Sequence, residues 1–189
     1  MIRGLLLVGL LVALALGGFA GWYAAREIQD PETVVESTTV SVTTTVQAAS
    51  AGLPDAVEQT RAALAAAAKS GDYEALRPLV PETGFEYTFG SPVAGGPIAY
   101  WRELEEQTDE EPLERLAQVL AMPYTLSRGI YFWPFAYDVA ARDDLTAHER
   151  ELLAPLGPLE SVFVEGTGYL GWRAGIAPDG SWVFFVAGD

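Results

Sequence analysis

Residues 169–189 read YLGWRAGIAPDGSWVFFVAGD, and this run decides the fold. Two apolar, aromatic-rich arms flank Pro178-Asp179-Gly180. Proline presets φ at the start of a turn and glycine takes positive φ at its end, so the spacing predicts a β-hairpin. Val183 to Val186 is continuously apolar, which predicts a strand central in a small sheet. Gly166, Gly168, Gly171 and Gly175 suggest bulges, or close approach of another segment to the first arm.

Working back from the hairpin, residues 128–139 read RGIYFWPFAYDV. Tyr131, Phe132, Trp133, Phe135 and Tyr137 make this the densest aromatic run in the chain. It reads as a strand, with Pro134 marking a bulge or an edge. Such rings either fill a core or form the wall of a ligand pocket. Thr146 and Glu149 have capping-box spacing and predict a helix that Pro155 closes. His148, the sole histidine, lies in the polar run AHERE and reads as exposed surface. Residues 158–165 fit a helix through Leu159, Val162 and Phe163, or a strand through Val162, Phe163 and Val164.

Ahead of these segments the pattern is mostly helical. Pro54 opens a helix with Asp55 in its first turn, and Val57, Thr60, Leu64, Ala67 and Ala68 share one face up to Gly71. Asp72 caps a short helix through Tyr73, Leu76 and Leu79, which Pro78 and Pro81 limit. Phe85, Tyr87 and Phe89 alternate with Glu86 and Thr88, which predicts a short strand. After the loop GSPVAGGP, Pro97 starts a helix that buries Ile98, Trp101 and Leu104. Residues 103–114 hold seven acids. They lack the alternating acids and central glycine of a calcium loop, and the later ones suit the start of the next helix. That helix carries Leu113, Leu116, Ala117 and Leu120 as its stripe and ends at Pro123. The expected fold class is α+β: several helices on a small, mostly antiparallel sheet ending in the hairpin.

The other strong signal lies at the N-terminus. Gly4 to Ala25 runs 22 residues without a charge, between Arg3 and Arg26. As a helix it would measure about 33 Å, enough to cross a hydrocarbon core of about 30 Å. Trp22 and Tyr23 suit the outer interface, with Arg3 and Arg26 at the two flanks. A cleaved signal peptide is the alternative, with Gly18 and Ala20 as the small residues of its site. Residues 30–53 are rich in Thr, Ser and Val and read as a stalk, or as an edge strand around Val40 and Val42. The expected organisation is residues 1–29 as cytoplasmic tip and anchor, 30–53 as linker and 54–189 as an extracytoplasmic domain. The anchor reading gives a single-pass protein of the cell membrane with its N-terminus in the cytoplasm. The signal-peptide reading gives a secreted one.

Composition narrows the chemistry. The net charge is −15, and residues 54–189 hold 9 basic against 22 acidic side chains. Nucleic acid and anionic lipid heads would repel such a domain. The charge serves solubility, or an acidic face for a cationic partner or Ca²⁺. Ten of the eleven basic residues are Arg, a bias typical of GC-rich bacterial genomes. With no Cys and one His, disulfides, His/Cys zinc sites and Cys–His catalysis are excluded. There is no G-x-S-x-G, no S-x-x-K and no Gly-rich loop ending in Lys-Ser/Thr. No cofactor is expected.

The first helix, GDYEALRPLV (71–80) and DGSWVFF (179–185) resemble the ends of NTF2-like (SnoaL-like) cone domains. That resemblance implies helices covering a curved sheet around a pocket, and brings no catalytic residue with it. PIAYW (97–101), YFWPF (131–135), LT..E (145–149) and GYLGWRAGI..DGSW (168–182) resemble a group of uncharacterised bacterial exported proteins. The sequence therefore supports two functions. One is a membrane-tethered binding or accessory module, held to the bilayer through residues 4–25 and facing an envelope protein or cell-wall component. The other is a small-molecule pocket or pocket enzyme. Its candidate contacts are Tyr100, Trp101, Trp133, Tyr137, Asp138 and Arg173, with Arg173 as the anion-pairing group and Asp138 as a base.

Overall fold

The structure is a computed structural model and describes residues 52–188. The apolar segment 4–25 and nearly all of the Thr-rich stretch lie outside the described residues. Among those described, no helix is long and apolar enough to cross a membrane. The architecture is α+β. Among the described residues five α-helices, α1 (Asp55–Lys69), α2 (Gly96–Gln107), α3 (Pro112–Ala121), α4 (Ala147–Leu153) and α5 (Leu159–Val162), accompany six strands. The strands are β1 (Thr125–Ser127), β2 (Ile130–Trp133), β3 (Phe163–Val164), β4 (Gly168–Tyr169), β5 (Arg173–Ile176) and β6 (Trp182–Val186). The main sheet is antiparallel in the order β1-β2-β5-β6, and β3 pairs with β4 separately.

The predicted hairpin forms as β5 and β6. Gly180 N donates to Ala177 O at 2.9 Å, and Ala177 N donates to Ser181 O at 2.9 Å. Gly180 holds φ 87°, the left-handed position that follows the turn. The strand β6 is terminal rather than central. Its continuous apolar pattern has another cause, a register shift opposite Gly175 and Ile176. Gly175 faces Phe184 and Ile176 faces Trp182, so Val183 is the extra residue of a bulge. Strict alternation would put Trp182 on the same face as Phe184; the bulge turns it to the helix side with Phe185. Both edge groups at this point are used. Glu86 N donates to Val183 O and Phe185 N donates to Glu86 O, each at 3.0 Å. The strand expected at Phe85–Phe89 is reduced to this single parallel bridge. Three prolines and four glycines in residues 81–97 leave it little room to extend.

The other expectations change in detail. Only residues 130–133 of the aromatic run are a strand. From Phe135 to Asp138 the chain turns as a 3-10 helix, because Pro134 has no N–H for the ladder. The partner β1 was not legible, having three residues and no pattern. Tyr73–Leu79 is also 3-10, capped by Asp72, which accepts from Glu74 N. Residues 158–165 use both readings, a four-residue helix followed by the two residues of β3. The capping box of α4 is present, Thr146 Oγ1 accepting from Glu149 N at 3.2 Å and Glu149 accepting from Thr146 N at 2.8 Å.

The core lies between the helices and the inner face of the sheet. Val57 and Leu64 of α1, Trp101 of α2, and Leu116, Val119 and Leu120 of α3 meet Trp133, Ile176, Trp182 and Phe185. Trp101 packs against Trp182 at 5.8 Å and edge-on against Phe185 at 5.4 Å. The indole N–H groups of Trp101 and Trp182 have no hydrogen-bond partner among the described residues, so ring packing alone orients them. Two polar ties fasten α1. Thr60 Oγ1 donates to Gly180 O at 2.6 Å, latching the helix to the hairpin turn. Arg61 grips both oxygens of Glu58 at 2.7 Å and donates to Leu120 O at 3.0 Å, closing the end of α3.

Two outcomes follow. A Cβ at Gly180 would lie 2.8 Å from Ala56 O, in a backbone region that side chains avoid. Gly180→Ala should therefore cost about 2 kcal/mol, read by urea denaturation. The Arg61 hydrogen bonds hold the Glu58 carboxyl below its ordinary value. A depressed carboxylate contributes stability above its unfolded value, about 4.3, and loses it as pH falls through the folded value. Melting temperature measured from pH 7 to 3 should thus fall more for the wild type than for Glu58→Gln. Because Glu58 is partly solvent-screened, the difference should be small.

Candidate functional site

The six candidate residues separate into three groups. Trp101 and Trp133 have no exposed surface and belong to the core. Tyr100 is half-buried on α2, tilted against Tyr87 at 5.6 Å. Tyr137, Asp138 and Arg173 come together. With Ser127, Arg128, Thr167, Tyr169 and Leu170 they line an open hollow of about 350 Å³.

The floor of this region is the outer face of the sheet. Gly175 of β5 lies between Phe132 of β2 and Phe184 of β6 in register. A Cβ there would overlap the Phe184 ring, so glycine is what lets that ring lie across the strand. Phe132, Phe184 and Val186 form a second apolar cluster, and Tyr137 stacks on Phe132 with centroids 3.7 Å apart and planes 9° apart. The turn at Pro134 makes this possible by folding residues 135–138 back over the sheet. Asp138 follows on the exposed side, accepting a long hydrogen bond of 3.4 Å from Thr125 Oγ1.

Arg173 is 8% exposed, and its guanidinium is held by backbone carbonyls. It donates to Gly171 O at 3.1 Å and to Gly188 O at 2.8 Å, and lies 5.4 Å from the centre of the Phe89 ring. The charge is therefore fixed in position. Beside it, Tyr169 donates to Trp172 O at 3.0 Å, and burial pushes its phenol far above the ordinary range, so it stays neutral. Arg128 was not singled out from the sequence. The available signal was Arg-Gly between two short runs, which becomes meaningful only once β1 and β2 are paired. Arg128 holds φ 51°, and among the described residues no other non-glycine side chain has positive φ.

The acidic run 103–114 has structural uses. Glu105 accepts from Tyr73 Oη at 2.6 Å, and Glu110 accepts from Trp172 Nε1 at 2.9 Å while pairing with Arg115 at 3.4 Å. These bonds clamp the 3-10 segment and the approach to β5. Glu111 and Glu114 share a hydrogen bond, which raises the Glu111 carboxyl. Among the described residues no group of three His, Asp or Glu side chains could hold a metal ion. His148 is exposed on α4.

No protein-family model, curated protein or solved structure matches this chain. The site therefore has to be read from its own chemistry. Arg173→Ala removes two charge-assisted bonds to backbone carbonyls and should cost about 2–3 kcal/mol in urea denaturation. Arg173→Lys should recover less than half, because one ammonium cannot reproduce the guanidinium fork.

Proposed function

We propose that residues 54–189 form a binding or accessory domain, held outside the cell membrane by the apolar segment 4–25, rather than an enzyme. The observation that carries the binding half is where the aromatic and polar groups lie. The three large rings Trp101, Trp133 and Trp182 are at most 2% exposed and occupy the interior where a cone-type pocket would open. The polar residues of the candidate set gather instead on the outer face of the sheet, in an open hollow. Surface recognition needs only such a face; bond-breaking chemistry needs groups desolvated around a reacting atom.

The tether rests on the 22-residue uncharged run, the interfacial Trp22 and Tyr23, and a strongly acidic domain that has no affinity of its own for anionic lipid. In this reading the stalk of residues 30–53 sets the distance at which the domain meets an envelope protein or a cell-wall component. The small-molecule alternative survives only at the outer hollow. Fractionation decides the tether: the full chain should stay with membranes through a carbonate wash and be cut by protease added outside intact cells. A soluble product beginning near Gly21 would instead establish signal cleavage and secretion.

A further inference from the structure

We propose that the open edge of β1 is the docking site for the chain's own residues 42–46, which add beside it as one more strand of the main sheet. The inference goes beyond the tethered-domain reading and does not depend on where the protein resides. The folded unit then begins at Val42, and the stalk is residues 30–41.

The first support is an edge left bare. β1 ends the main sheet, with only β2 beside it. Ser127 and Ile130 flank a two-residue turn, so they exchange hydrogen bonds, as do Thr125 and Phe132. Leu126 lies between these pairs, opposite Tyr131, and turns its own N–H and C=O outward. Among the described residues no backbone hydrogen bond reaches that edge from outside the sheet. The opposite edge is finished, Glu86 taking both the Val183 carbonyl and the Phe185 amide. β1 carries no proline and no charge, two of the usual guards of an edge. Its Leu126 side chain is 54% exposed. It lies on the helix side of the sheet, because Tyr131 opposite it packs inward with Ile176.

The second support is the segment that connectivity brings there. Residues 42–46 read VTTTV and lie outside the described residues. All five are β-branched, and in extended backbone Val42, Thr44 and Val46 share one side while Thr43 and Thr45 share the other. The side with the two valines matches Leu126. Leu53 packs against the core and α1 starts at the β5–β6 turn, where Thr60 Oγ1 donates to Gly180 O. Tyr131 pairs with Ile176, so the β1–β2 turn lies at that same end of the sheet. A strand outside β1 is three steps from β5, about 14 Å in all. Gln47 to Gly52 can extend to about 20 Å, enough to cross. A segment arriving at that end runs parallel to β1, and the helices between them supply the crossover that a parallel pair requires. No charge stands between Ser37 and Leu53, so the acidic domain does not repel this occupant. A second copy would be repelled, since each domain carries 22 acids against 9 bases.

The test uses the full chain in detergent micelles, where the absence of native cysteine leaves engineered pairs without competitors. With Thr44 beside Leu126, the double variant Thr44→Cys/Leu126→Cys should oxidise to an intramolecular disulfide. It should do so at least tenfold faster than Thr38→Cys/Leu126→Cys, read on non-reducing gels. Amide hydrogen exchange reads the same contact without cysteines. In this register Leu126 N donates to Thr43 O, and Thr45 N donates to Leu126 O. Thr45→Pro removes the second bond, so the Leu126 amide should exchange at least tenfold faster than in the wild type, while Thr38→Pro leaves it unchanged. The proposal is overturned if the two cysteine pairs oxidise at equal rates, if the product is a disulfide-linked dimer, or if Thr45→Pro leaves Leu126 exchange unchanged.

Discussion

One residue too many in the last strand organises the domain. Because Val183 has no partner opposite it, Trp182 turns inward beside Phe185 while Phe184 and Val186 face out. Without that extra residue the sheet would present its largest ring to the wrong side. Trp101 would lose the partner against which α2 is seated. The exposed carbonyl at the bulge is taken up by Glu86 N, which also finishes an edge that would otherwise invite another strand. Core packing, helix placement and edge protection thus share one local irregularity.

Acidic residues join the same architecture in an unexpected way. In a chain this negative, carboxylates would be expected to stand off in solvent. Several act as fasteners instead. Glu110 holds the Trp172 indole, Glu105 holds the Tyr73 phenol, and Glu58 orients the arginine that closes α3. The Glu105 and Glu110 bonds each join a surface charge to a ring anchored in the core, so the charged shell contributes positioning as well as solubility. Among the candidate site residues, Arg173 behaves alike: carbonyls of residues 171 and 188 immobilise its charge before any ligand arrives.

The long signals were readable because they depend on near neighbours. Capping by Thr146 and Glu149, the Val57–Leu64–Ala68 face and the Pro178–Gly180 turn involve residues within a few positions of one another. Local pattern and fold part where a remote segment decides. Phe85–Phe89 alternates like a strand, yet only Glu86 finds a partner, nearly a hundred residues away. The aromatic run 128–139 looks uniform, yet the proline at 134 divides it between sheet and overlying turn. Of the site, Tyr137, Asp138 and Arg173 were named from residue type; their convergence, and the addition of Arg128, required the pairing of β1 with β2 and of β2 with β5.

The amino-acid sequence by itself determined the helices, the terminal hairpin, the α+β class and the exclusion of thiol and zinc chemistry. These follow from periodicity, turn geometry and composition, which are local or global properties of the chain. Tertiary structure alone decided which aromatic rings are core, where β6 sits and which polar groups share a hollow. Those are set by strand register across long separations, and a shift of one residue in register moves a side chain from one face of a sheet to the other.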